Sequence, residues 1–284
     1  MFSPLTHLKQ SSLLRRGLYG LMATLMAITI GLATPTPSHA SIFDLIFQGI
    51  RYVQLGNMSD RDEVNLGAQI DRQLKAQQGV RIYNRNASIN SYINEIGQRL
   101  AATSDRPDLP YTFQVVDNNS VNAFATAGGF VYIQTGLIRA AENEAELAGV
   151  MAHEIGHITG RHALQQMRQR ALASGVAGSL GVRQEALVGL GVQLALHLPN
   201  SREAEHDADR RGFHNMGRAG YDTTGFISFM RKLEGRNTAE FLSTHPNPGN
   251  RVNNLQAMHS AGTFASNAGV GTDAAAYRNR IRGL

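Results

Sequence analysis

The sequence predicts an α+β fold in which several helices pack on a small sheet. Three observations lead there. Most of the chain carries apolar residues at helical spacing, and only two short runs alternate like strands. Hydrophobic residues make up 42% and charged residues 17% of the 284, which suits a packed globular protein rather than a disordered one. One long helical stretch, "NEAELAGVMAHEIGHITGRHALQQMRQRALA", places two histidines one turn apart in an apolar setting.

The N-terminus reads as an address. Lys9, Arg15 and Arg16 occur in residues 1–40 without any acid, so over half of the formal charge of +5 sits there. The apolar "GLYGLMATLMAITIGLA" follows, then "TPTPSHA", with Ser38 and Ala40 placed for a cut before Ser41. Basic start, apolar centre and small-residue cleavage site are the layout of a secretory signal peptide. An uncleaved membrane anchor is the alternative, since the apolar run reaches the short limit for a spanning helix. Residues 1–40 are therefore set apart from the fold. The apolar segment 41–58, with "SIFDLIFQGIRYVQLG", either packs on the domain or makes a peripheral membrane contact.

Along the remainder, "SDRDEVNLGAQIDRQLKAQQG" opens with Ser59 as N-cap, has acids in its first turn and ends at glycine. "ASINSYINEIGQRLAATS" sets Ile89, Ile93, Ile96 and Leu100 on one face of a second helix. "YTFQVVD" and "FVYIQTG" read as strands separated by the loop "NNSVNAFATAGG". The long helix over 143–173 comes next. The glycine-rich apolar stretch 172–199 reads as core helices or as a mobile flap near the site. "NSREAEHDADRRGFHNMGRAG" and "TTGFISFMRKLEG" are helices, and "STHPNPGNR" is a loop. The domain is expected over 59–260, with a tail over 261–284 that is poorly ordered until "AAAYRNRIRGL".

Composition excludes several chemistries. With no cysteine there is no disulfide framework, thiolate metal site, cysteine nucleophile or lipidated cysteine. The small positive bias outside 1–40 forms no basic stripe with interleaved aromatics, so no nucleic acid is expected as a partner. A transition metal would have to be held by His, Asp or Glu.

His153 and His157 offer such a site. At i and i+4 their imidazoles leave one helix face, close enough to share a Zn²⁺ at about 2.0–2.1 Å. Glu154 follows the first histidine, where its carboxylate reaches the attacking water rather than the metal. Three fixed residues are a modest signal without a third ligand. "SREAEHDAD" offers two carboxylate pairs, Glu203 with Asp207 and Glu205 with Asp209. Residues two apart on a helix diverge by roughly 200°, so both pairs cannot face one ion. With Asn200 as N-cap, Glu203 completes a capping box. That favours Glu205 as the ligand and Asp209 as acceptor of a ligand histidine's outer N–H. His162 stands about 140° around the helix from His157 and is read, with His197, His206, His214 and His259, as a surface or core histidine.

Four separated segments carry a resemblance. "NAFATAGGFVYIQTGLI", "ENEAELAGVMAHEIGHITGRH", "SREAEHDADRRG" and "THPNPGNR" are together similar to the HtpX and CAAX-prenyl-protease type of zinc metallopeptidases, in their soluble exported BepA/LoiP-like branch. The resemblance spans roughly 58–255. Its pattern S-R-x-x-E-x-x-A-D falls on Ser201, Arg202, Glu205, Ala208 and Asp209, which again selects Glu205. It implies a zincin-type domain with one zinc per chain. It also implies an exported, periplasmic endopeptidase acting on unfolded or misassembled envelope proteins. A latent, metal-stabilised, chaperone-like binder of unfolded chains is the alternative. BepA-like members carry a C-terminal helical repeat domain for which this chain lacks the length, so docking through such repeats is not expected.

The resemblance places the loop of His245 over the metal, either to stabilise the oxyanion or to occupy the open metal position and hold the enzyme idle. Zincins bind substrate along an edge strand, which assigns Gly129, Phe130, Val131 and Tyr132 as the substrate strand. A tight turn into a core strand explains Gly128 and Gly129 equally well.

Overall fold

The computed structural model describes residues 57–77, 79–173, 184–235, 239–246, 248–262, 264 and 269–284. The expected signal peptide over 1–40, most of the 41–58 segment and part of the glycine-rich stretch lie outside the described residues. Among the described residues no helix is long and apolar enough to cross a membrane.

Two helices come first, α1 (Asp60–Gln77) and α2 (Ala87–Ala101). Three strands follow: β1 (Thr112–Val116), β2 (Ala123–Ala125) and β3 (Phe130–Gln134). The rest is helical: α3 (Thr135–Ala140), α4 (Glu144–Thr159), α5 (His162–Ala173), α6 (Gln184–His197), α7 (Arg202–Arg218), α8 (Thr224–Gly235), α9 (Ala239–Thr244), α10 (Pro248–Ser260) and α11 (Ala274–Arg280). This is the helix-rich α+β architecture with a small sheet that the sequence predicts.

The sheet order is β1-β3-β2, with β1 parallel and β2 antiparallel to β3. Side chains alternate across it, as the two-residue strand period requires. Val115, Val131 and Ile133 join the main core with α2 and α4, while Val116, Phe124 and Tyr132 join a second cluster with Leu66, Ile70 and Leu74 of α1. Helices thus cover both faces.

Four local readings change. The loop expected at 118–129 contains β2, a three-residue strand too short and alanine-rich to show a β signal. The single helix expected over 143–173 breaks at Gly160–Arg161, where Arg161 adopts φ 54°. The proline-containing stretch is mostly helical, because Pro248 opens α10, where a missing N–H costs nothing. The cap of α7 is Ser201, whose side chain accepts from Ala204 N, so Asn200 does not cap the helix and Glu203 completes no capping box.

Helix α4 is buried on all sides from Ala145 to Ile158. Its N-cap Asn143 accepts from Glu146 N. It meets α7 at unusually close range. A Cβ on Gly156 would lie 2.5 Å from Ala208 O, and one on Gly212 would lie 2.8 Å from His153 N. Only glycine permits this approach, and it brings the carboxylates of α7 against the histidines of α4. Residues 269–284 pack near the start of α4, where Ala145 N donates to Gly271 O and buried Tyr277 donates to Ile138 O.

Candidate metal centre and catalytic cleft

Helix α4 delivers His153, Glu154 and His157 to one buried spot, and α7 delivers Glu205. His245 enters from the turn after α9. One donor atom each from His153, His157, Glu205 and His245 fall within 4.8 Å of one another, all buried. His157 Nε2 lies 3.1 Å from His153 Nε2 and 3.3 Å from Glu205 Oε1. His245 Nδ1 lies 3.2 Å from Glu205 Oε1 and 3.4 Å from His153 Nε2. Nitrogen and carboxylate donors at this spacing suit a borderline metal such as zinc. Glu154 Oε1 and His245 Nε2 are buried without a hydrogen-bond partner, an arrangement that fits a site built for an ion and a reacting group.

Asp209 Oδ1 stands 3.0 Å from His153 Nδ1, on the side away from the cluster. Arg251, on α10, holds the same carboxylate: its Nε donates to Asp209 Oδ2 and its Nη2 to Oδ1, both at 2.7 Å. Its third nitrogen, Nη1, pairs with Glu205 Oε2 at 2.6 Å. Burial pushes the Glu205 carboxyl up, but His245, His157 and His153 outweigh it and hold it well below the usual range. Burial likewise raises Asp209, and Arg251 and His153 bring it below its ordinary value. Both carboxylates are thus charged at neutral pH.

His157 has its own outer partner. His162 Nδ1 lies 2.9 Å from His157 Nδ1, and His162 Nε2 lies 3.2 Å from Asp207 Oδ2. Burial and the neighbouring His157 push His162 down to about 4, so it is neutral at physiological pH. Reading His162 as remote from the metal face assumed one continuous helix; the break at Arg161 overturns that. Arg251 is also newly identified. It ends the quoted "THPNPGNR" motif, but nothing in the sequence signals a buried arginine. His259, in contrast, pairs with Thr223 Oγ1 at 2.9 Å, and His197 and His206 are exposed.

The assigned substrate strand requires correction. Phe130, Val131 and Tyr132 belong to β3, the middle strand, whose two sides pair with β1 and β2. Gly129 precedes it with φ 96°, and Gly128 with φ 76°, so the pair makes the tight turn into a core strand. The strand beside α4 at the sheet's edge is β2. Asn122 O and Thr126 N bond toward β3, so by alternation Ala123 and Ala125 turn their main-chain groups away from it. Ala123 is fully buried and its N–H donates to Asn122 Oδ1, which leaves half-buried Ala125 as the accessible edge position. Ala125, Thr126 and Ala127 line one cleft with Glu154, His157 and His245. Leu164, Met167, Gly191, Leu194, Ala195 and Leu198 form its apolar wall.

A buried His/Glu group able to hold a metal, with a carboxylate beside it at the foot of one cleft, defines a metallopeptidase of the H-E-x-x-H class. Residues 87–259 match Peptidase family M48, and the chain belongs to that family. It is similar to the beta-barrel assembly-enhancing protease of Escherichia coli (strain K12), 31% identical over 254 residues, which cover 82% of this chain and 50% of that protein. The protein of the same name from Yersinia pestis is 34% identical over 218 residues, 70% of this chain and 44% of its own length. Metalloprotease YcaL of E. coli (strain K12) is 27% identical over 235 residues, 76% of this chain and 87% of that protein. The chain thus spans about half the length of the beta-barrel assembly-enhancing proteases it matches.

Proposed function

We propose that the protein is an exported zinc metalloendopeptidase that cuts unfolded or misassembled envelope proteins. The observation that carries this reading is the buried group of His153, His157, Glu205 and His245 beside the partnerless Glu154 Oε1. In this reading residues 1–40 direct export to the periplasm, 41–58 link, 59–260 form the catalytic domain, and 261–284 follow it. His153, His157 and Glu205 hold one zinc per chain. Held there, zinc would supply Lewis acidity for water activation and carbonyl polarisation at neutral pH.

The chain's own residues do the rest. Glu154 takes the proton of the attacking water at Oε1 and passes it to the leaving amine. Asp209 accepts the Nδ1–H of His153, which keeps that ring's Nε2 lone pair turned inward. Arg251 holds Asp209 and Glu205 in place. The outward N–H and C=O of half-buried Ala125 pair with the main chain of an extended substrate, which favours unfolded polypeptides over particular sequences.

The position of His245 favours a second, complementary state. Its Nδ1 stands among the ligand atoms, which supports reading this conformation as an idle form, with His245 in the place that water would take. Such a resting protein holds unfolded chains without cutting them.

The test is zinc content and casein cleavage of the purified protein beside Glu154→Gln. Both should hold about one zinc, and only the parent should cut, with a fall of roughly 10²–10⁴ in the variant. Absence of zinc from both would overturn the ligand assignment.

A further inference from the structure

His162 is 4% exposed, yet it forms no part of the proposed hydrolytic chemistry. Three features bring it where it is. Helix α4 ends at Thr159, with Gly160 as its C-cap. Arg161 then takes φ 54°, a left-handed conformation that a non-glycine residue keeps only where its surroundings impose it. The surroundings do: Arg161 Nη1 donates to Met58 O at 2.9 Å, Nε faces Glu63 Oε2 at 3.3 Å, and Nη2 pairs with Asp60. The chain therefore turns back, and His162, first residue of α5, faces His157 instead of pointing 140° away.

Space for the ring is also provided. A Cβ on Gly160 would fall 2.4 Å from His162 Nε2. Beyond the ring, Asp207 is fixed by Arg211 Nε, 2.5 Å from its Oδ2, and by Arg210. Thus a hinge, a glycine and a clamped carboxylate converge on one imidazole.

We infer that His162, oriented by Asp207, is a positioning residue that fixes the tautomer and ring plane of the metal ligand His157. The proton assignment follows from connectivity. His157 Nε2 faces the cluster, so it offers its lone pair inward and its hydrogen sits on Nδ1. That N–H donates to His162 Nδ1, which accepts only if the His162 hydrogen is on Nε2, where it donates to Asp207 Oδ2. Helix α7 thereby supports both ligand histidines: His153 through Asp209 directly, and His157 through Asp207 with His162 between them. The inference rests on the metal reading above.

The test is zinc affinity of the purified protein, by competition with a chromophoric chelator, for the parent, His162→Phe, His162→Gln and Asp207→Asn. Phenylalanine fills the space without accepting a hydrogen bond; glutamine can both accept from His157 and donate to Asp207. The affinity should fall about 10–100-fold in His162→Phe, as for loss of an outer partner, and recover to within about threefold in His162→Gln. Asp207→Asn should fall between them. Side-chain ¹⁵N spectra of the zinc-loaded parent should show His157 protonated at Nδ1, with that proton's hydrogen-bonded shift lost in His162→Phe. An affinity of His162→Phe matching the parent's, or equal losses in the Phe and Gln variants, would overturn the positioning role while leaving the metal site standing. A parent that binds no zinc would overturn both.

Discussion

His245 Nε2 stands 3.5 Å from Glu154 Oε1, and neither atom has a hydrogen-bond partner. The proposed base and the loop imidazole are therefore in contact, and the imidazole fills the buried space that a water and a carbonyl would need. Removing the imidazole should free it. His245→Ala should keep about one zinc and cut casein several-fold faster than the parent, read by initial rates. A fall of roughly 10²–10³ would instead assign His245 to the oxyanion.

Arg251 is 1% exposed and pairs with two carboxylates at once. Arg251→Met leaves Glu205 and Asp209 buried without that charge, a change costing about 3–5 kcal/mol when one partner of a buried pair is removed. Zinc would offset the charge on Glu205. Thermal melts should therefore show a large loss for the metal-free variant and a smaller one with zinc added.

The outward edge of β2 gives a prediction for substrate binding. Ala125→Pro removes an N–H that points away from β3, at an edge position where proline is tolerated. KM for an unfolded protein substrate should rise about tenfold, the worth of a hydrogen bond or two, with kcat and the melting temperature nearly unchanged. An unchanged KM would move the substrate off this edge.

Asp71 is a polar hub outside the His/Glu group. It accepts from Tyr132 Oη at 2.8 Å, Gln114 Nε2 at 2.9 Å and Lys75 Nζ at 2.8 Å. Burial pushes its carboxyl up, but the bonds from Lys75, Gln114 and Tyr132 outweigh it, leaving the folded value below the ordinary one. A depressed carboxylate contributes stability above its unfolded pKa of about 4, lost as pH falls through the lower folded value. Asp71→Ala also removes the 2.8 Å acceptor of the fully buried Tyr132 hydroxyl, and should cost about 2–3 kcal/mol at pH 7 by denaturant unfolding. The gap between variant and parent should narrow as pH drops below about 4.

The sequence by itself determined the candidate metal-binding residues and most of the helices. Both depend on short-range spacing: His153 and His157 share a face because a helix turns every 3.6 residues, and Ile89, Ile93, Ile96 and Leu100 line a core for the same reason. Ser201-to-Asp209 is likewise one local pattern. Tertiary structure decided what spacing cannot carry. A strand is an edge or a centre only by which strands pair with it, so the placement of β3 between β1 and β2 was invisible along the chain. A single left-handed residue, Arg161, held by contacts with Met58, Asp60 and Glu63 about a hundred positions away, redirected His162 onto His157. Arg251 became part of the site only because α10 packs beside α7, where two buried carboxylates required a cation. Periodicity fixes the face of a residue within its own element; long-range packing fixes what that face meets.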